Sequence, residues 1–193
     1  VDAAILTGAP EFEGRPGEKP RYYNSAFLIR PDSPKVTRYD KIHLVPFGEA
    51  IPFESTFPIL ERVDFGEADF RSGSERTVFE SRGATWSTLI CYEAIFPGLV
   101  REFVDGGAGF LVNITNDVWY GRTSMPFQHA SMARMRSIEN RRSLARSANS
   151  GVSLLADPYG RVIAETEIFT ETFLVADLPV GCGTTFYTRV GDY

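Results

Sequence analysis

Between Thr85 and Gly98 the chain changes character within a few residues. Thr85-Trp86-Ser87-Thr88-Leu89-Ile90 is an apolar, β-branched and aromatic run that reads as a strand. It stops at Cys91, a carboxylate follows at Glu93, and Phe96-Pro97-Gly98 opens a stretch able to continue as helix. A thiol at a strand-to-helix turn is where a fold can present a nucleophile. The free N–H groups and positive dipole end of a helix start favour an anion placed beside them. The competing reading is that Cys91 is an inert small hydrophobe, since cysteine is among the most buried residue types. Position alone leaves both open.

The rest of the pattern is one of short strands separated by turns. Strands are expected at Ala3–Thr7, Tyr23–Ile29, Lys35–Tyr39, Thr85–Ile90, Phe110–Asn113, Ser143–Ala148, Val152–Ala156, Arg161–Ala164 and Phe173–Ala176. Gly14-Arg15-Pro16-Gly17, Pro31-Asp32-Ser33-Pro34, Asn149-Ser150-Gly151 and Asp157-Pro158-Tyr159-Gly160 supply turns. Helices are expected from about Phe96 to Val104 and from about Pro126 to Asn140. In the second, Met132, Met135 and Ile138 share a stripe that reads as core, and Arg134, Arg136, Arg141 and Arg142 read as a solvated or ion-paired rim. Helices interspersed among many strands imply a layered α/β or α+β sandwich.

Composition narrows the function classes. The 193 residues suit one domain with a substantial core. A net charge of −5 gives no support for nucleic-acid binding. The cysteines, Cys91 and Cys182, and the histidines, His43 and His129, lack zinc-ligand spacing and imply neither a disulfide scaffold nor a metal site. No run approaches the roughly 20 apolar residues of a membrane span. One segment departs from the sandwich pattern. From Pro46 to Arg71 the chain carries Pro46, Pro52 and Pro58 among Phe47, Ile51, Phe53, Phe57, Ile59, Leu60 and Phe65. It is too apolar for a free linker. Its apolar side chains either fold onto their own domain or meet a lipid or a partner.

A second stretch has chemical potential. Lys41 closes the expected strand and Glu49 follows beyond the turn Pro46-Phe47-Gly48. A lysine beside a thiol favours the thiolate and can stabilise a developing oxyanion. A carboxylate can orient that lysine or serve as general base. Singly, both residues read as surface charges, and their use in chemistry depends on the fold bringing them to Cys91.

Taken together, these segments resemble the nitrilase superfamily, whose members use a Glu-Lys-Cys triad, and within it the apolipoprotein N-acyltransferases. The resemblance rests on Lys41 to Glu49 with Ile51-Pro52, on Ile90-Cys91-Tyr92-Glu93, on Asn113 to Gly121, on Gln128 to Arg136, on Glu139, on Arg146 to Gly151 and on Tyr187 to Asp192. It implies a four-layer αββα sandwich of which the N-terminal part lies outside this sequence, residues 1–193 being a partial catalytic domain. It implies a bacterial cytoplasmic-membrane enzyme with its catalytic domain on the periplasmic side. That enzyme moves a fatty acyl chain from a phospholipid to the N-terminal amine of a diacylglyceryl-cysteine lipoprotein, through a Cys thioester and without cofactor or metal. Carried over by motif, Cys91 is the nucleophile and Lys41 the triad lysine, and Glu49 sits beside the triad. Tyr92 supplies an oxyanion N–H, Glu93 is a supporting residue and Trp119 lines the site. Phe53 and Phe57 belong to the apolar loop, read as an acyl-chain entrance.

The family's triad glutamate has no counterpart here. Pro10-Glu11 is out of register with its motif, so Glu11 is not assigned, and the glutamate is expected upstream of Val1, with membrane helices on either side of the chain. The 193 residues alone are then expected to be inactive. Two rivals follow: a soluble nitrilase-type amidohydrolase, in which water attacks the thioester, and a non-catalytic lipid- or partner-binding module. Cys182 is read as structural, His43 as bracing the lysine strand and His129 as a helix-face contact.

Overall fold

The structure, a computed structural model, describes residues 3–14, 17, 20–50, 70–181 and 183–192. The expected residues Phe53, Phe57 and Cys182 lie outside these.

Strands β1 (Ile5–Glu13), β2 (Arg21–Arg30) and β3 (Ser33–Asp40) form one antiparallel sheet. The second sheet has the order β4 (Val78–Ser81), β5 (Ala84–Ile90), β6 (Phe110–Thr115), β7 (Leu144–Ala148), β8 (Leu154–Ala156), β9 (Val162–Glu165). Its centre, β5-β6-β7, is parallel, and its flanks are antiparallel. Parallel neighbours need crossovers, and helices α1 (Pro97–Asp105) and α2 (Met125–Asn140) provide them. A short α3 (Phe186–Val190) follows, capped by the Thr185 hydroxyl on the Thr188 N–H.

The register explains the layering. Leu6, Leu28, Gly8, Ala26 and Tyr39 share one face of the first sheet, through the pairs Leu6–Leu28, Gly8–Ala26 and Ala26–Tyr39. A Cβ on Gly8 would stand 3.0 Å from the Ile114 side chain of β6, so this face looks onto the second sheet. Trp86 to Ile90 of β5 are all buried, on both faces of the strand. That is the signature of a strand covered on both sides. Leu99, Val100, Phe103 and Val104 of α1, with Ala130 and Ala133 of α2, complete the same core. The result is the α/β sandwich expected from the sequence.

Several local expectations change. Phe173–Ala176 is not a strand, and Phe173 and Val175 are 84% and 83% exposed. β propensity alone does not make a strand where no neighbouring edge takes up the backbone hydrogen bonds. β4 was not anticipated. It pairs with β5 through a two-residue turn at Arg82 and Gly83, both at positive φ, the geometry that suits a tight hairpin. The methionine stripe of α2 is not core, since Met132 and Met135 are 42% and 46% exposed. The buried face is Pro126, His129, Ala130, Ala133, Arg136, Ser137 and Asn140. Small residues let this helix approach the layer beneath it closely, and the polar ones find partners there. The arginine rim is likewise corrected for two members. Arg136 is buried and donates to Ile95 O and Glu139. Arg142 is buried and donates to the carbonyls of Ala108, Asn140, Arg141 and Gly183.

Candidate active site

Strand β5 delivers Cys91 as expected, but into a 3-10 turn, Cys91–Ile95, rather than directly into α1. Cys91 has φ 53°, a left-handed conformation that side chains rarely adopt. Such a position costs on the order of 1–3 kcal/mol and persists only where surrounding contacts hold it. Cys91 is half-buried and unpaired with any other described cysteine.

Glu93 supplies one set of those contacts. It is fully buried. Its Oε2 accepts the Ile90 N–H at 2.7 Å. Its Oε1 accepts the Ile42 N–H at 2.7 Å, the His43 N–H at 3.2 Å and the Tyr39 hydroxyl at 2.7 Å. One carboxylate thus ties the residue before Cys91 to the two residues after Lys41. Burial pushes the Glu93 carboxyl above the usual carboxylate range, and its hydrogen bonds pull it back part of the way. Burial and the Glu93 charge hold the Tyr39 hydroxyl far above its ordinary value, so Tyr39 stays a donor.

Lys41 is itself fully buried, and its Nζ contacts Glu49 Oε2 at 2.5 Å. The Pro46-Phe47-Gly48 turn brings Glu49 back. Phe47 takes φ 62°, its N–H donates to Ala50 O, and the Glu49 N–H donates to Val45 O. Glu49 is further fixed by Asn24 Nδ2 on Oε1 and the Val45 N–H on Oε2, each at 2.8 Å. The Lys41 backbone is gripped from both sides, by Asn24 O and by the Gly73 N–H. A Cβ at Gly73 would run into the Asp40 carbonyl, so only glycine allows this approach. His43 stacks on Phe96 with ring centroids 4.4 Å apart, and burial lowers its pKa.

On the other side of Cys91 lies a polar cluster that sequence reading missed. His129 is 3% exposed. Its Nε2 is 3.2 Å from the Cys91 carbonyl and its Nδ1 is 3.0 Å from Asp117 Oδ1. Asp117 Oδ2 accepts Arg146 Nη2 at 2.6 Å. Arg146 also bonds Asn113 and donates to Val152 O. Asn113 Nδ2 donates to Leu89 O at 2.8 Å and to Cys91 O at 3.4 Å. Burial raises the Asp117 carboxyl, but His129 and Arg146 outweigh it and hold it below its ordinary value. Burial lowers the Arg146 guanidinium, opposed by Asp117. The sequence did carry a signal: Asn113 and Arg146 are polar residues inside apolar strand runs, and the β6–β7 register sets them opposite each other.

The following turn, Val118–Tyr120, carries Trp119 at 69% exposed. Tyr120 meets the His129 ring edge-on at 5.8 Å. Burial raises its pKa, and the nearby Asp117 carboxylate adds to this. Glu11 engages the adjacent Phe12 N–H. Cys91, Lys41, Glu49 and Glu93 are therefore joined through hydrogen-bonded neighbours, whereas His129 is far more than the helix-face contact expected. His43 does sit between the lysine strand and Phe96.

Comparison with known proteins bears on the family and the fold. The family model for carbon-nitrogen hydrolases matches residues 1–185. Apolipoprotein N-acyltransferase of Geobacter metallireducens is 42% identical over 192 residues, covering 100% of this chain and 37% of the relative. That of Chlorobaculum tepidum is 47% identical over 178 residues, covering 88% and 33%. That of Bradyrhizobium diazoefficiens is 40% identical over 196 residues, covering 97% and 36%. The chain thus spans about a third of the length of these curated relatives. Among solved structures, an amidase mutant from Nesterenkonia sp. AN1 with acrylamide added at its active-site cysteine superposes with a TM-score of 0.68 at 24% identity. That match covers 98% of this chain and 66% of the amidase. Saccharomyces cerevisiae Nit3, of the nitrilase superfamily, gives 0.61 at 19% identity, covering 85% and 55%. At such identities these two likenesses speak to fold, and the family match with the curated relatives speaks to descent: the chain belongs to the carbon-nitrogen hydrolase family.

Proposed function

We propose that residues 1–193 are the lysine- and cysteine-bearing part of the catalytic domain of an apolipoprotein N-acyltransferase. The single observation that carries the chemistry is Glu93, whose carboxylate binds the Lys41 segment and the Cys91 turn at once. The acyl substrate is suggested by the names of the relatives. The reaction is ping-pong. Cys91 gives its proton to a glutamate supplied upstream of this sequence and attacks the ester carbonyl of a phospholipid. Lys41 and the Tyr92 N–H hold the oxyanion, the lysophospholipid leaves, and a thioester remains on Cys91. The N-terminal amine of a diacylglyceryl-cysteine lipoprotein attacks that thioester and frees the thiol. Glu49 keeps the Lys41 ammonium in place. Trp119, exposed beside the site, meets the acyl chain, and Phe53 and Phe57 line its entrance. Among the described residues no helix is long and apolar enough to cross a membrane. Anchoring and periplasmic placement are assigned to the remainder of a longer protein.

The test uses the full-length protein in phosphatidylethanolamine vesicles. A fatty-acyl adduct on Cys91, found by mass spectrometry and discharged by a diacylglyceryl-cysteine peptide faster than by water, is the expected outcome. No adduct on Cys91 sinks the reading. Discharge by water alone, with no transfer to the peptide, makes the protein an amidohydrolase-type enzyme instead. Charged replacements at Phe53 or Phe57 are expected to slow phospholipid turnover while Cys91 stays reactive to small alkylating agents.

A further inference from the structure

The peptide joining Cys91 to Tyr92 has two ends with different surroundings. Its carbonyl oxygen faces the protein, where His129 Nε2 lies at 3.2 Å and Asn113 Nδ2 at 3.4 Å. A carbonyl has no proton to give, so Nε2 must carry one. That ring is fixed in turn by Asp117 at Nδ1, and Asp117 by Arg146 Nη2 and the Thr115 hydroxyl at 2.9 Å. Arg146 Nη2 also lies 3.2 Å from His129 Nδ1. Asp117, Asn113 and the Arg146 side chain are wholly buried. Gly151 keeps the cluster closed, because a Cβ there would run into the Asp117 carboxylate.

In a trans peptide the C=O and N–H point in opposite directions across one rigid plane. No cis peptide occurs among the described residues. Whatever grips Cys91 O therefore aims the Tyr92 N–H the other way, away from the buried cluster. As a first-turn N–H, it has no acceptor within its own helix. Cys91 itself holds a left-handed φ, a strained conformation that persists only where surrounding contacts fix it.

We propose that Asp117, His129, Arg146 and Asn113 are positioning residues that set the Tyr92 oxyanion donor by holding the opposite end of its peptide. This rests on the reading of Cys91 as an acyl-accepting nucleophile. His129 touches no substrate. Its work is to keep the Cys91–Tyr92 plane oriented while negative charge builds on the far side. An oxyanion donor acts only if it is aimed before the charge appears.

Two near-isosteric variants of the full-length protein separate this from a structural role. Gln can place an amide N–H near the position of Nε2, whereas Asn reaches only the position of Nδ1. Acylation of Cys91 is read from the p-nitrophenol burst with p-nitrophenyl acetate, a reaction with an oxyanion. Bare thiol reactivity is read from alkylation by iodoacetamide, a displacement with none. H129N is expected to lower the burst rate by about 10²-fold, the scale of losing one oxyanion donor, with H129Q within about tenfold of the parent. Alkylation by both variants should stay within about threefold of the parent. Equal burst rates for H129N and H129Q overturn the proposal, as does a fall in alkylation that matches the fall in burst. Should H129N fail to fold, N113S removes the second donor to the same carbonyl. It should cost about tenfold in burst at unchanged alkylation, and no loss overturns the proposal. A parent protein that alkylates but gives no burst instead refutes the nucleophile reading on which this one depends.

Discussion

Glu93 shows how one buried side chain can tie two segments of a site together. Its carboxylate satisfies Ile90 N–H, Ile42 N–H, His43 N–H and the Tyr39 hydroxyl together. Truncation leaves those donors buried and unpaired at about 1–3 kcal/mol for each one that finds no water. Glu93→Ala is therefore expected to lower stability by at least about 3 kcal/mol in a denaturant titration. It should also abolish acylation of Cys91, because the Lys41 and Cys91 segments lose their link. Lys41 and Glu49 invite a sharper comparison. Removing one partner of a buried ion pair leaves the other uncompensated, at about 3–5 kcal/mol. Lys41→Met removes both the charge and the proposed oxyanion contact and is expected to reduce the acylation rate by at least about 10²-fold. Glu49→Gln keeps an acceptor for Nζ, Val45 N–H and Asn24 only in part. It should reduce the rate less than Lys41→Met, and an equal or larger loss would assign the base role to Glu49.

At the scale of elements, the parallel strands β5, β6 and β7 converge their C-terminal ends on one place, as open parallel sheets do. Cys91 follows β5, Asp117 follows β6, and Arg146 lies in β7 opposite Asn113. Helix α2 returns His129 to the same point. The Asp117 carboxyl is held below its ordinary value of 3.8. A depressed carboxyl contributes stability that is fully present above the unfolded value and disappears as pH falls through the folded one. Unfolding midpoints measured from about pH 6 down to about pH 3 should therefore fall for the parent as Asp117 takes up its proton. Asp117→Asn should start about 3–5 kcal/mol lower at neutral pH, because Arg146 is left buried without its anion, and should change less with acid. The two curves then approach each other at low pH, and parallel curves would contradict this account. Gly151→Ala should destabilise the same cluster by about 1–3 kcal/mol through overpacking against Asp117.

For the molecule as a whole, the chain spans 37% or less of the length of these curated relatives. The 193 residues alone are expected to give no acyl adduct on Cys91 with phospholipid vesicles, and measurable thioester turnover by them would show that a base lies within this sequence. The strand end that precedes Cys91 and most of the strands and helices were legible from the chain. Turns, strand ends and helix starts are written in local residue chemistry, whereas Lys41 and Glu49 read singly as surface charges and only the fold buries the lysine and pairs the two. Three readings failed for one shared reason. Met132 and Met135 face outward, Phe173–Ala176 forms no strand, and Arg136 and Arg142 are buried. Each depends on what a neighbouring element offers: a close-packed layer for alanines rather than methionines, a free strand edge, a row of carbonyls. The same dependence hid His129, whose meaning lies in Asp117 and in a carbonyl 38 residues earlier in the chain. Local sequence determined which residues could do chemistry and on which element each sits. Only the tertiary structure decided which of them meet, because burial takes the solvent from a polar group and leaves its partner to be supplied by a distant strand or helix.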